Sequence, residues 1–246
     1  GRSGCFGTST MIIDANTIFG FWPRRNVDIS IERLDEIITG FGVSRALTSS
    51  ARGILYDYVG GNRETIEMAA RYSWSIPVAT VDPREYLGNL DEIERVRDQG
   101  VQFIRLFPEH QKWPADYLPF HRIMEKLGEY PEIVVMLPAV HGFANLVDLC
   151  KRYDNRFIVT GVMFSFLGEC LEAFRFCPNF NITIELLNSV DAYETCAALG
   201  YLDRLHFGSN APFSYFSSAY EMVTKSRLSA DDKAAVLSGN MERLVR

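Results

Sequence analysis

Four side chains of the sequence, Arg105, Glu185, His110 and His141, could bind a small molecule or move a proton. The planar guanidinium of Arg105 lies in an apolar run and suits a carboxylate ligand. The Glu185 carboxylate interrupts another apolar run, so it needs a partner or an altered pKa. His110 and His141 each follow a predicted strand, and imidazole can exchange protons near pH 7. These residues indicate a pocket for a small carboxylated molecule.

Each of these side chains also has a structural interpretation, which the sequence leaves open. Arg105 could form a buried ion pair with Glu185 or with Asp82. His110 and His141 could be loop histidines that hydrogen-bond to the backbone. Catalytic roles for the four residues therefore stay candidate assignments at this point.

The elements that position these residues repeat along the chain. Eight short apolar runs alternate with amphipathic helical stretches, and they recur every 23–34 residues or so, the size of one βα unit. Continuous apolar strands imply burial on both faces, as in a parallel sheet. The predicted strands are Met11–Asp14, Ser44–Thr48, Ile76–Val81, Val101–Phe107, Glu132–Leu137, Phe157–Val162, Asn181–Leu187 and Arg204–Gly208.

Eight βα units predict an α/β protein with a single (β/α)8 TIM barrel over residues 11–246. An open doubly wound sheet is the alternative, but neither GxGxxG nor GxxxxGK[ST] occurs. We interpret residues 1–10 as an N-terminal tail or a cloning remnant. Helix starts are predicted at four polar caps, Ser30, Asn89, Ser189 and Ser229.

Composition excludes several classes of function. Apolar residues make up 47% and charged residues 23% of the 246, with a net charge of −6, so we expect neither disorder nor nucleic-acid binding. No apolar run is long enough to span a membrane, and no signal peptide is evident. Five scattered cysteines without a CxxC pair indicate a reduced, cytoplasmic protein. The remaining histidines, His121 and His206, have predicted structural roles.

Three motifs resemble the amidohydrolase-2 (TIM-barrel metal-dependent hydrolase) branch of the amidohydrolase superfamily. Residues 12–20 read IIDANTIFG, residues 206–212 read HFGSNAP, and residues 239–244 read GNMERL. The family patterns are I-D-x-H-x-H-x-G, G-S-D-x-P and G-N-A-x-R-L in the same order. The resemblance implies an amidohydrolase-like barrel, hydrolase chemistry with a divalent metal, and a homodimer or higher oligomer.

The sequence departs from the family at the positions that hold the metal. The first-strand histidines fall on Asn16 and Ile18, the fifth-strand histidine near Met136, and the eighth-strand aspartate on Asn210. Isoleucine offers zinc no lone pair, and an amide is a poor general base. We therefore expect no metal cofactor, with one divalent zinc as the alternative.

Three functions follow as hypotheses, and the sequence leaves open whether the protein is an enzyme. The first is a non-catalytic or small-molecule-binding homologue of this hydrolase family. The second is a metal-independent hydrolase or decarboxylase in which Arg105 anchors a carboxylated substrate and His141 or Glu185 moves protons. The third is an interaction scaffold that docks partners through aromatic residues after strands one and eight, including Trp22, Phe213 and Phe216.

Overall fold

A computed structural model describes residues 11–245 and contains eight parallel strands that pair strictly in chain order. Each strand is followed by helical structure that covers the outside of the sheet, which is the predicted (β/α)8 architecture. The strands are β1 (Ile13–Phe19), β2 (Arg45–Ser50), β3 (Ser75–Ala79), β4 (Phe103–Arg105), β5 (Val134–Pro138), β6 (Arg156–Thr160), β7 (Phe180–Thr183) and β8 (Leu205–His206).

The helices lie between the strands and after β8. Short 3-10 turns precede α7, α8 and β8, and a π-helical turn, Ala235–Gly239, joins the last two helices. The helices are α1 (Ile31–Gly40), α2 (Ala51–Leu55), α3 (Tyr58–Arg71), α4 (Asn89–Asp98), α5 (Pro108–Gln111), α6 (Leu118–Gly128), α7 (Phe143–Arg152), α8 (Leu167–Phe176), α9 (Ala192–Ala198), α10 (Phe216–Thr224), α11 (Ala230–Ala234) and α12 (Asn240–Glu242).

The barrel is closed between its first and last strands by backbone hydrogen bonds. The Ala15 amide donates to the Phe207 carbonyl at 2.8 Å, and the Asn210 amide donates to the Asn16 carbonyl at 2.9 Å. The loops after β1 and β8 are therefore neighbours, as the predicted fold requires.

A β-bulge in β1 sets the direction of its polar side chains. Asp14 pairs with Ala46 and Thr17 with Thr48, so β1 carries one more residue than β2 between these pairs. Bulges re-aim side chains at strand ends. Strand β1 continues past its predicted end at Asp14, and its polar residue Asn16 lies inside the barrel wall rather than in a loop.

The opposite end of the barrel is closed by the carboxyl-terminal segment, which we call the floor (residues 240–244). Met241 and Leu244 pack with apolar side chains of the barrel interior such as Ile158. The Asn240 amide donates to the carbonyls of Leu202 at 2.9 Å and Leu205 at 2.8 Å. The floor thus joins the barrel through both apolar and polar contacts.

Two of the four predicted helix caps are confirmed. The Ser30 and Ser229 hydroxyls accept hydrogen bonds from backbone amides three residues later. The prediction for Asn89 is wrong, since Gly88 precedes α4 and the Asn89 amide instead donates to the Asp82 carbonyl at 2.9 Å. The start at Ser189 is also wrong, because α9 begins after Asp191.

The helices and the cysteines of the chain bear on two further predictions. Within residues 11–245, no helix combines the length and the apolar content that a bilayer span requires. Residues 1–10, including Cys5, lie outside the described part of the chain. The other cysteines are buried and free of disulfides: Cys150, Cys170, Cys177 and Cys196.

Candidate functional site

A chain of hydrogen bonds joins β1, β4 and the segment after β7 at the carboxyl ends of the strands. Arg105 Nη1 donates to Asn16 Oδ1 at 2.6 Å, and Asn16 Nδ2 donates to Glu185 Oε1 at 2.7 Å. Arg105 Nη2 also donates to Thr160 Oγ1 at 3.3 Å. The structure therefore brings together Arg105, Glu185 and Asn16, three of the residues singled out from the sequence.

The structural alternative for Arg105, a direct ion pair with Glu185 or Asp82, is not formed. Among residues 11–245, no carboxylate oxygen lies within 4.0 Å of an Arg105 nitrogen. The Asn16 amide stands between the two charges and bonds to both. Asp82 pairs instead with Arg84 at 2.6 Å. Glu185 also lies two residues beyond β7, which ends at Thr183, rather than inside the strand.

Unused hydrogen-bonding capacity remains in this group of side chains. Glu185 Oε1 also accepts from the Gly161 backbone amide at 3.0 Å. Arg105 Nε, Glu185 Oε2 and Thr183 Oγ1 are buried and lack a partner among the described residues. A charged donor, a charged acceptor and a hydroxyl are thus available to a polar ligand that can reach them.

Burial shapes the electrostatics of this site. Arg105 is only 9% exposed, and burial lowers its pKa to about 10, while the Glu185 carboxylate acts in the opposite direction. Arg105 therefore stays positively charged at neutral pH. Its Cζ lies 4.7 Å from the centre of the Phe107 ring, which adds a cation–π contact.

Asp14 connects β1 to the segment after β8 through hydrogen bonds. Its Oδ1 accepts from the backbone amides of Asn16 and Ser209, both at 3.0 Å, and its Oδ2 bonds to the Ser209 hydroxyl at 2.5 Å. Burial outweighs these bonds and raises the pKa of Asp14 to about 7. The residue fastens the end of β1 to the segment after β8.

Aromatic rings close the site from above, and we call Trp22, Phe107, His110 and Phe213 the aromatic cover. Trp22 packs edge-on against His110 and Phe213, with ring centroids 5.0 Å apart in each pair. Phe107 lies 6.0 Å from His110. The contact between Trp22 and Phe213 joins the loops after β1 and β8, which are neighbours in a closed barrel.

The two candidate histidines have different positions. His110 lies on α5, where burial and the nearby Arg105 charge lower its pKa to about 4, so it is neutral at pH 7. His141 lies apart from Arg105 and packs against Trp113 and Phe120 on the outer side of the barrel. Its ring nitrogens bond to no described residue, so the structural alternative of a backbone hydrogen bond is not formed, and burial lowers its pKa to about 4. His141 does not converge with Glu185.

Sequence reasoning missed three contributors to the site. Thr160 and the Gly161 amide lie at the end of β6. Nothing in the sequence of this strand, apart from its lack of a histidine, pointed to a contribution to the site. Gly208 follows β8 and leaves space for the site, because a Cβ there would lie 3.0 Å from Glu185 Oε2 and 3.2 Å from Asn16 Cβ. Gly208 belongs to the motif at residues 206–212, but the sequence does not show why this position needs a glycine.

The Gly208→Ala variant should lower the free energy of unfolding by about 1–3 kcal/mol, the usual cost of overpacking. The added methyl would crowd Glu185, Asn16 and Thr183 at once. Urea denaturation measures the change. Gly168→Ala is the matched control, because it lies on α8 with no atom within 4 Å of the new Cβ, so it should be neutral or stabilising. Equal stability of the Gly208 variant and the wild type would contradict the prediction.

The residues at the family's metal positions do not fit a divalent metal. The Asn16 amide is engaged by Arg105 and Glu185, and Ile18 packs in an apolar cluster with Trp22. Met136 lies in the apolar barrel interior, and a thioether is a soft ligand unsuited to hard divalent cations. Asn210 has a φ of 57° and donates to Ser214 Oγ at 3.2 Å. Within residues 11–245, no three His, Cys, Asp or Glu side chains cluster as metal ligands would.

The model of the family described as "Amidohydrolase" matches residues 37–246. The chain belongs to this family. The match includes strand β4, which carries Arg105, and the segments that contain Glu185 and Gly208. No curated protein matches the sequence.

Several solved structures share the fold of this chain at low sequence identity. A 5-carboxyvanillate decarboxylase from Sphingomonas paucimobilis is 16% identical, with a TM-score of 0.76 over 97% of this chain and 99% of that chain. A second such decarboxylase, from Novosphingobium aromaticivorans, was crystallised with manganese and a nitrobenzoic acid; it is 14% identical, with a TM-score of 0.75 over 97% of each chain. A 2,6-dihydroxybenzoate decarboxylase from Rhizobium is 14% identical, with a TM-score of 0.69 over 96% of this chain and 98% of that chain.

Proposed function

We propose that this amidohydrolase-family protein binds a small aromatic carboxylate at the carboxyl ends of its strands without a divalent metal. The observation that carries the proposal is the hydrogen-bonded chain from Arg105 through Asn16 to Glu185. The Arg105 cation bonds to Asn16, a position at which the family pattern has a metal-binding histidine. A guanidinium can take over the attraction for a carboxylate, but not the activation of water.

The polar groups that lack partners support a carboxylate carrying a second polar group. Arg105 Nε supplies a charged donor, and Glu185 Oε2 can accept a hydrogen bond from a hydroxyl on the same ligand. Hydroxybenzoates combine these two features on one ring. Proteins of similar structure act on 5-carboxyvanillate and 2,6-dihydroxybenzoate, which belong to this chemical class.

The aromatic cover supports an aromatic ligand and requires a movement for its entry. Its rings offer stacking and edge contacts to a planar molecule. Because Arg105 is only 9% exposed and contacts Phe107 of the aromatic cover, we expect the cover to move when a ligand enters. Binding is therefore expected to change the fluorescence of Trp22.

Calorimetric titration of metal-stripped protein with 2,6-dihydroxybenzoate tests the proposal. We expect saturable binding that added manganese does not strengthen. Arg105→Lys should weaken it by about 10–100-fold, because lysine keeps the charge but loses the planar fork. Arg95→Lys is the matched control, since Arg95 forms a two-nitrogen contact with Glu92 on helix α4 and should leave affinity unchanged. Binding that needs one equivalent of manganese or zinc would refute the proposal, as would full affinity in Arg105→Lys.

A metal-independent decarboxylase acting on the same ligands is a second candidate, favoured by the activities of the similar structures. In this reaction the bond between the ring and the carboxyl carbon of the ligand would break to release CO2. A proton would then replace the carboxylate on the ring carbon. Glu185 is the remaining candidate for that proton transfer, since His141 lies elsewhere. Arg105 argues against this reaction, because pairing with the leaving carboxylate stabilises the ground state. Release of CO2 during the same titration would favour this candidate.

The homodimer implied by the family resemblance remains part of the proposal. Trp22 and Phe216 are buried within the chain, so they are not available to a partner. Phe21 and Tyr215, beside the aromatic cover, are 73% and 86% exposed and could contact a second copy.

A further inference from the structure

A second cleft lies at the opposite end of the barrel, where β6, β7 and β8 begin. It encloses about 630 Å³ between these strands and the floor. Four cationic side chains line it, and we call it the basic groove after them: Lys151, Arg156, Arg204 and Arg243. This face of a TIM barrel usually serves stability rather than catalysis, so the concentration of positive charge needs a reason.

The positive charge of the basic groove is only partly balanced. Arg204 pairs with Asp203 at 3.3 Å. The other three cations have no carboxylate within 4.0 Å in the part of the chain that the structure describes. Asp154 is the remaining acidic side chain among the groove's described lining residues. A protein with a net charge of −6 thus concentrates unpaired cations at one cleft.

Weak local contacts hold these cations at the groove. Arg156 Nη1 donates to the Arg243 carbonyl at 3.2 Å, and Arg243 Nη2 donates to Asn240 Oδ1 at 2.6 Å. Lys151 Nζ lies 4.8 Å from the Phe176 ring centre. Each contact leaves further N–H groups of the side chain free to bind an anion.

The inner wall of the groove has two unused hydrogen-bond acceptors. Asn181 Nδ2 donates to the carbonyls of Phe157 and Asn179, both at 3.1 Å, which fixes Asn181 Oδ1 as an acceptor facing His206 Nε2 at 3.2 Å. His206 must therefore carry its proton on Nε2, and its Nδ1 keeps a lone pair. This Nδ1 has no partner among the described residues, although His206 is 1% exposed.

Asn179 adds the second acceptor by the same reasoning. Its Nδ2 donates to the carbonyls of Cys150, Tyr153 and Asn155 at 2.9–3.0 Å, so the amide orientation is fixed. Its Oδ1 is buried and has no partner in residues 11–245. Buried acceptors without a donor are unusual and call for one. The groove therefore offers cations at its rim and acceptors inside.

We propose that the basic groove binds a compact polyanion that also carries hydroxyl groups, such as a phosphate ester or a hydroxy-polycarboxylate. Lys151, Arg156 and Arg243 bind the charged groups, because arginine and lysine donors match phosphate and carboxylate oxygens. Hydroxyl groups supply donors toward His206 Nδ1 and Asn179 Oδ1. This site is separate from the Arg105 site, because it opens at the other end of the barrel.

The test uses citrate and inorganic pyrophosphate as probes of the full-length protein, with the ionic strength held constant by sodium chloride. We expect saturable binding of at least one probe by calorimetry. The double variant Arg156→Gln/Arg243→Gln should lose about tenfold or more in affinity. Binding of one probe and not the other identifies the ligand as a phosphate or as a carboxylate.

The affinity loss of the double variant could come from unfolding, so a second variant is chosen that should bind more tightly than the wild type. Asp154→Asn removes a carboxylate from the groove and should strengthen binding by up to about fivefold, the range of exposed charge pairs. Arg33→Gln is the control, because Arg33 is exposed and pairs with Glu36 on α1, whose residues do not line the groove, so affinity should not change.

Ring nitrogen NMR locates the bound probe. The Nδ1 signal of His206 should shift on saturation, while the signals of His141 should not. The proposal is overturned if neither probe binds at constant ionic strength, if the double variant binds as tightly as the wild type, or if bound citrate, which carries a hydroxyl group, leaves the His206 signal unchanged. Equal weakening by Arg33→Gln would also overturn it, since that result would indicate attraction to charge in general.

Discussion

Replacing Arg105 with leucine should lower the free energy of unfolding by about 3–5 kcal/mol, the usual cost of removing one partner of a buried charged pair. The variant loses the hydrogen bonds to Asn16 and Thr160 and leaves the Glu185 carboxylate without a nearby cation. Urea denaturation monitored by circular dichroism measures the loss. Arg33→Leu is the control, since Arg33 is exposed and pairs with Glu36 on α1, so its loss should stay within about 0.5 kcal/mol.

A double-mutant cycle separates the electrostatic effect from the loss of packing. Adding Glu185→Leu to Arg105→Leu should restore about 1 kcal/mol or more, because the uncompensated carboxylate is then gone. If the destabilisations of the two single variants simply add, the charges are not coupled through Asn16. The site would then be an accidental group of polar residues rather than a connected unit.

The second large effect concerns the pH dependence of stability at Asp14. Burial raises its pKa from 3.8 to about 7 in the folded protein. Because the folded protein binds the Asp14 proton more tightly than the unfolded chain does, the protonated carboxyl contributes its full stabilisation of the fold below the unfolded pKa. This contribution is lost as the pH rises through about 7. Because one pH unit corresponds to about 1.4 kcal/mol, the full change is of the order of 4 kcal/mol.

Asp14→Asn isolates this contribution, since asparagine keeps an acceptor for the Asn16 and Ser209 amides without a titrating proton. The stability of the wild type relative to this variant should fall between about pH 4 and pH 7 and be level outside that range. Urea midpoints measured from pH 4 to pH 8 give the difference. A difference that stays constant with pH would show that the amide donors at 3.0 Å keep Asp14 ionised in the folded state.

Much of the architecture could be predicted because the apolar pattern is local. Parallel strands buried on both faces produce continuous apolar runs such as residues 133–137, and these runs fixed the number and order of the strands. The ends of the strands were harder to predict where polar side chains continue a strand. The first strand was predicted to end at Asp14, but it continues to Phe19, because Asn16 and Thr17 find hydrogen-bond partners inside the barrel wall.

The site could be predicted only where a residue's own surroundings were unusual. Arg105 and Glu185 stood out as charges within apolar runs, and the structure brings them together. The role of Asn16 as the link between them depends on a one-residue bulge in β1, which no local pattern specified. His141 was misplaced for a related reason, since the 3-10 turn after β5 directs its ring toward Trp113 rather than into the barrel.

The floor of the barrel has a consequence for handling this protein in the laboratory. Met241 and Leu244 are part of the packed interior, and Asn240 ties the segment to Leu202 and Leu205. A purification tag or reporter domain joined immediately after Leu244 would compete for that space and strain the attachment. A polar spacer before the fusion point avoids this conflict, whereas trimming the chain back past Asn240 would leave an open apolar socket that favours aggregation.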